Sequence, residues 1–441
     1  MDTPTIFKIP PEILVEILAL LPTESVSGFA QTCSQARELI YGPDSSTYLW
    51  RSLYLNLFDD PRTSGWAIDP GMDSSDSSSN GNKAYDWKQN LQGAVEALNR
   101  WENGFIDDPK KEITFRSVFL SLVRLLHTAA PAPHKSKNIQ ALSKRLLPTS
   151  PPLPPLSPEA QTLLTILQLH LDPRTEIAPN VLVRQARKIT YSVLSYSPYP
   201  NRGPFNADGT VNWDILNSIS TLMRYNISDF QDVLEADLGQ PLPWDIEHAR
   251  PKGLADGTST KNDGDWANAG GKWKGMYAFL DYPVFMQLNY PRTVRRNLPP
   301  LLSDEQEHTG DLMNLTLTLN PPASSQPKSK LPSSVSSPGT SPSSSSPFST
   351  KFHPLHYTGS SFMSSPDHAT EVRAEFFLSP DSPPQLRARF TISYDREDRW
   401  SLEGVQVGGL GGRRGIFGVW SIPNSTDGES PSGPFYFWKV D

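Results

Sequence analysis

Apolar residues recur along this chain with two different periods. In the middle third, Trp87, Leu91, Val95, Leu98 and Trp101 follow one another at three- or four-residue spacing, and so do Val118, Leu122, Leu125 and Leu126. That spacing lines one face of a helix. The same reading gives helices over 159–171, 179–195 and 213–236. From Trp273 onward the period is two. Leu315, Leu317 and Leu319 alternate with Thr316 and Thr318, and Val372, Ala374, Phe376 and Leu378 alternate with Arg373 and Glu375. Leu386, Ala388, Phe390, Ile392 and Tyr394 alternate with Arg387, Arg389, Thr391 and Ser393. Such alternation marks antiparallel strands with one face on a core and the other toward water. Asp395–Asp398 reads as the hairpin turn into a strand over 400–407, and Phe435-Tyr-Phe-Trp438 as a last strand. About eight such strands with short turns predict a barrel or a sandwich.

Polar and proline-rich stretches divide this pattern. Residues 73–81, Asp-Ser-Ser-Asp-Ser-Ser-Ser-Asn-Gly, offer nothing apolar to bury and make 59–84 a loop. A Pro-rich break at 148–158 is expected to be extended. A Ser/Pro insertion at 321–350 interrupts the strands and is expected to be disordered. Its Ser337-Pro, Ser341-Pro and Ser346-Pro pairs suit proline-directed kinases, and phosphates there would add charge. The chain therefore reads as an α+β multidomain protein. Short helices over 6–58 and the loop 59–84 lead to a helical linker domain over 85–238; a loop over 239–270 precedes an antiparallel barrel-like domain over 271–441.

The N-terminal helices carry a surplus of apolar residues. Ile9-Pro-Pro-Glu-Ile-Leu14 opens the first, with proline's fixed φ suited to a first turn and Glu12 at the positive helix end. Ile13, Ile17 and Leu20 form one row, and Leu14, Leu18 and Leu21 the next. So small a helical segment cannot hide both rows, and one must face a partner. The following helix supplies Val26, Phe29, Ala30 and Cys33, and Leu49-Trp50-Arg51-Ser-Leu53-Tyr54 supplies aromatic anchors.

On these residues the segment 6–54 resembles an F-box, whose pattern is Leu-Pro-x-Glu-Ile-Leu, two hydrophobic helices, then Leu-Trp; Ile9 stands where the family has Leu. The resemblance implies a three-helix module that docks on the Skp-type adaptor of an SCF (Skp–cullin–F-box) ubiquitin ligase, and through it on the cullin and RING subunits. The matching positions implied to bind the adaptor are Pro10, Leu14, Ile17, Leu18, Leu21, Pro22, Val26, Leu49 and Trp50. Lys272-Trp-Lys-Gly-Met-Tyr277, Leu402-Glu-Gly-Val-Gln406 and Gly433-Pro-Phe-Tyr-Phe-Trp438 resemble the C-terminal halves of fungal F-box proteins, related in style to those ending in a calycin-like β-barrel. That implies a non-catalytic substrate-recognition subunit whose barrel binds a protein substrate. The alternative is a barrel that holds a small hydrophobic ligand and acts as a sensor coupled to the ligase.

Candidate chemistry changes this picture little. The glycine run 408–415 lacks the Lys-Ser/Thr of a phosphate loop and reads as a turn or bulge. Arg413 and Arg414 suit bidentate binding of a carboxylate or, alternatively, a solvated hairpin tip; with Trp420 they are the candidate substrate contacts. Trp273, Trp400, Trp420 and Trp438 could line a pocket but are read as core. Asp395, Glu397 and Asp398 crowd one polar turn beside Arg396 and Arg399 and read as solvated. His353 and His356 have no companion ligand at metal spacing, so no metal or other cofactor is expected. Cys33 is the single cysteine, which excludes disulfides. A net charge of −7 argues against nucleic acid as a partner. Glu12 and Glu16 in the first apolar run argue against a secretory signal, and no apolar stretch spans a bilayer. The expected location is the cytoplasm, the nucleus or both.

Overall fold

A computed structural model describes residues 5–42, 47–61, 85–103, 111–129, 136–146, 155–171, 180–195, 203–228, 264–290, 307–321, 352–363, 368–381, 384–408, 415–423 and 432–440. The chain forms two compact units, Met1–Leu167 and Gln168–Asp441. Among the described residues no helix is long and apolar enough to cross a membrane.

The first unit is helical. A 3₁₀ turn at Thr5–Lys8 precedes α1 (Pro11–Ala19), α2 (Thr23–Ala30), α3 (Ser34–Tyr41) and α4 (Thr47–Leu57). Pro10 and Pro22 stand at the N-caps of α1 and α2. Cys33 caps α3, its Sγ accepting from the Ala36 N–H at 3.5 Å. Gly42 ends α3: its N–H donates to the Glu38 carbonyl at 2.8 Å, and a Cβ there would lie 2.3 Å from that oxygen. The fourth helix, which carries Leu49 and Trp50, extends the three-helix expectation. It packs on α1, where Asn56 Nδ2 donates to the Ala19 carbonyl at 2.8 Å.

α5 (Trp87–Glu102), α6 (Lys111–His127) and α7 (Lys137–Leu146) complete the packing, with Tyr54 meeting Trp87 edge-on at 5.5 Å. Asp59, the first residue of the expected polar loop, is buried. Its carboxylate accepts from Ser136 Oγ at 2.5 Å and the Lys137 N–H at 3.0 Å, so a negative charge sits at the N-terminus of α7. α8 (Pro158–Leu171) spans the division between the units.

Among the described residues the second unit holds α9 (Asn180–Thr190), α10 (Trp213–Ser228) and nine strands. β1 (Gly271–Leu280) is followed by α11 (Tyr282–Asn289), a helix the period-two reading does not anticipate. Then come β2 (Glu307–Thr309), β3 (Met313–Leu319), β4 (Leu355–Phe362), β5 (Thr370–Leu378), β6 (Leu386–Tyr394), β7 (Glu397–Gln406), β8 (Ile416–Ser421) and β9 (Ser432–Lys439). All pairings are antiparallel. β3 to β9 follow one another in order, and β1 joins β3 on one side and β9 on the other. The result is a closed eight-stranded barrel, which leaves no free edge along these strands. β2 pairs with the far end of β1, Leu280 opposite Glu307.

The β6–β7 hairpin turns on Asp395 and Arg396, with φ of 51° and 68°. Two successive positive φ angles give a tight two-residue turn whose twist matches the strands. Glu397 and Asp398 therefore already belong to β7 rather than to the expected turn. One extra residue is accommodated beside Ile392 and Ser393, where the register shifts.

Inward-facing residues are Trp273, Leu315, Leu317, Tyr357, Phe376, Phe390, Phe435 and Phe437, with others of the same parity. Phe390 meets Phe376, Phe437 and Phe435 edge-on at 5.8, 5.3 and 6.3 Å, which fills the lumen with rings. α10 lies on the outer side of β1, β8 and β9. That is why Tyr436 and Trp438 are buried although they face away from the lumen, and why β9 reads as an unbroken aromatic run.

Candidate functional site

The N-terminal helices sort their apolar residues into two classes. Leu14, Leu18, Val26, Leu49 and Trp50 are buried within the unit. Pro10, Ile17, Leu21 and Pro22 are exposed. The exposed class continues in two residues of α1 and its end that lie outside the expected adaptor contacts, Ile13 at 47% and Leu20 at 84% exposure. Ile13, Ile17 and Leu20 follow at four and three residues, so they share one face of the helix. Full burial of such a side chain is worth roughly 1.5–3 kcal/mol, of which about half is still to be gained at Ile13 and Ile17 and most of it at Leu20. No residue in this row is needed to close the unit's own core, and together they form an exposed apolar patch.

The second helix borders a cleft of about 950 Å³ between α2, α4 and α5, floored by Trp50, Leu53 and Leu91 and rimmed by Glu24, Gln31 and Asn99. Tyr41 packs on Trp50 at 5.6 Å, and the Lys88 ammonium stands 5.5 Å from both rings. Trp50 and Val26 thus combine a core role with a place in this cleft.

In the barrel, Trp420 is 8% exposed and donates from Nε1 to the Ala278 carbonyl at 3.0 Å. Arg413 and Arg414 lie outside the described residues, as does nearly all of the Ser/Pro insertion. Gly408 and Gly415, at either end of the glycine run, have φ of 94° and 100°, a left-handed conformation that glycine adopts without strain; the residues between them lie outside the described ones. Trp273 faces the lumen and Trp438 lies under α10, both fully buried, while Trp400 is partly exposed at one mouth of the barrel.

The outer face of β5–β7 carries a charged ladder. Glu403 accepts from Arg387 Nη2 and Arg389 Nε, each at 2.9 Å, and Arg389 Nη1 donates to Glu375 at 3.1 Å. The Arg387 guanidinium is also covered by the Phe205 ring at 3.6 Å and donates to the Gly209 carbonyl at 3.2 Å. These contacts tie the segment before α10 to the barrel wall, and they satisfy charge structurally.

Asp398 accepts from Ser393 Oγ at 2.7 Å and from Arg373, which hold its carboxyl below the usual aspartate range. It is engaged within the hairpin. Among the described residues no three His, Cys, Asp or Glu side chains group as metal ligands.

Residues 6–56 match the F-box-like family model. A search of curated proteins and a search of solved structures each gave no match.

Proposed function

We propose that this protein is the substrate-recognition subunit of an SCF-type ubiquitin ligase. The observation that carries the reading is an F-box-like match over 6–56 on helices whose Ile13, Ile17 and Leu20 stand in the open. F-box domains typically bind a Skp-type adaptor, and through it the cullin and RING subunits. In this reading the exposed row of α1, with Leu21 and Pro22, meets the adaptor. Leu14, Leu18, Leu49 and Trp50 hold that row in place from behind. The barrel binds the protein substrate, and ubiquitin transfer gains from proximity, without a catalytic residue in this chain. The site of action is the cytoplasm or the nucleus.

The up-and-down strand order is one that eight-stranded ligand-holding barrels such as lipocalins use. The lumen, however, is occupied by Phe376, Phe390, Phe435 and Phe437 where a small ligand would sit. That packing favours recognition on the outside or at a mouth of the barrel over an enclosed hydrophobic ligand.

The test is affinity capture with the full chain and with its Ile13→Asp/Ile17→Asp variant. Proteins captured by both forms, and accumulating in cells only with the variant, are the expected substrates. If every captured protein keeps the same half-life with either form, the receptor role is wrong.

A further inference from the structure

The strands β1, β7 and β8 bring three aromatic side chains to one mouth of the barrel. The rings of Trp400 and Trp420 stand at 89° with centroids 5.1 Å apart, and Tyr277 meets Trp420 at 82° and 5.9 Å. The strand order places Trp400 on one side of Trp420 and Tyr277 on the other, with only Gly433 of β9 between. Glycine is required at that gap: a Cβ on Gly433 would lie 2.9 Å from Trp420 Nε1 and 2.0 Å from the Ala278 carbonyl that orients this indole. Gly310 plays the same part for Tyr277, whose ring carbon Cζ would be 2.2 Å from a Cβ there. Trp400 and Tyr277 are only partly buried, unlike the rings deeper in the lumen.

We propose that this mouth binds a poorly hydrated organic cation carried on a polypeptide side chain, an N-methylated ammonium or a guanidinium, in the corner between the perpendicular rings. Aromatic faces carry negative quadrupole charge, and rings set at right angles present two such faces to one cation. Asp311 adds to the attraction: it follows Gly310, which packs on the Tyr277 ring and donates its N–H to the Tyr277 carbonyl at 2.9 Å. The Tyr277 hydroxyl is held above the ordinary tyrosine value by burial first, then by Tyr394 and Asp311. A partly exposed ring corner with an acidic neighbour suits a cation better than an apolar side chain, which gains nothing from the carboxylate.

That the carrier is a ligase substrate rests on the function proposed above; the binding of the cation does not. The experiment titrates the full-length protein, its tryptophans ¹⁵N-labelled, with acetyl-trimethyllysine methylamide, acetyl-arginine methylamide and the neutral tert-butyl isostere of the first. Saturable shifts of indole N–H signals are expected with one or both cations, and the isostere should bind about tenfold more weakly. Trp400→Leu should abolish the shifts in a protein that keeps its circular dichroism spectrum, and Trp400→Phe should retain them at reduced affinity. Equal binding of cation and isostere, or no saturable binding by either cation, overturns the inference. Adaptor binding measured on the same samples separates this failure from that of the ligase role.

Discussion

Ile17 and Leu18 are successive residues of α1 with opposite surroundings: Ile17 is 44% exposed and Leu18 is 2% exposed. The helix turns by about 100° per residue, so neighbours in the sequence serve different surfaces. Leu18→Ala should therefore lower the unfolding free energy of the first unit by about 2–5 kcal/mol through a cavity, and Ile17→Ala should change it by no more than about 0.5 kcal/mol. Chemical denaturation of the two variants checks this. Equal losses would mean that the two faces of α1 are not distinct.

In the barrel, the Phe437 ring occupies the space a side chain at Gly275 would take, since a Cβ there would lie 1.8 Å from Cδ1. Gly275→Ala should cost about 1–3 kcal/mol by overpacking. Shrinking the ring with Phe437→Leu should recover part of that loss in a double-mutant cycle. Additive losses in thermal unfolding would show that the two residues do not compete for the same volume.

The charged ladder predicts an asymmetry. Glu403 has two arginine partners and the nearly buried Arg387 has Glu403 as its carboxylate. Glu403→Leu strands a buried guanidinium and should cost about 3–5 kcal/mol. Arg387→Met leaves Glu403 paired with Arg389 and should cost clearly less. The order of the two melting temperatures decides it.

Glu307 on β2 is buried against Arg187, whose Nε donates at 2.7 Å, and Tyr191, whose hydroxyl donates at 2.6 Å. Burial raises its carboxyl above the ordinary glutamate value, outweighing the pull of Arg187. A raised value means that the folded state holds the proton more tightly than the unfolded state. Glu307 therefore contributes most below the unfolded glutamate value, and that contribution falls as pH rises through its folded value. Stability measured against pH should show this decline in the wild type and not in Glu307→Gln. Identical slopes for the two proteins would contradict the assignment.

Much of this organisation is legible in the sequence, because burial on one side leaves a period. The strands at 313–319 and 386–394 alternate cleanly and can be found from pattern. The F-box-like segment is found from a dense motif. What pattern does not supply is which apolar row faces outward. Ile13, Ile17 and Leu20 look like Leu14 and Leu18 until α4 is placed against α1, a tertiary contact with no local signature. Leu14 and Leu18 are buried and hold α1 in place, and Ile13 and Leu20 join the exposed face only through geometry. The β9 run Phe435–Trp438 likewise hides its alternation, because α10 buries the outer face as well. The mouth of the barrel joins Tyr277 of β1 to Trp400 of β7 and Trp420 of β8, both more than a hundred positions later, and only Trp420 of its three rings stands among the candidate substrate contacts.

If, as proposed, the exposed row of α1 docks this chain on a Skp-type adaptor, the two purified proteins should form a complex that depends on that row. Calorimetric titration of the purified full-length protein with the purified adaptor tests it directly, alongside an Ile17→Asp/Leu20→Asp variant with the same circular dichroism and melting temperature. A saturable complex is expected for the wild type and at least about a hundredfold weaker binding for the variant, since two desolvated carboxylates would face an apolar partner. Unchanged affinity of the variant, or no complex with the wild type, would contradict it.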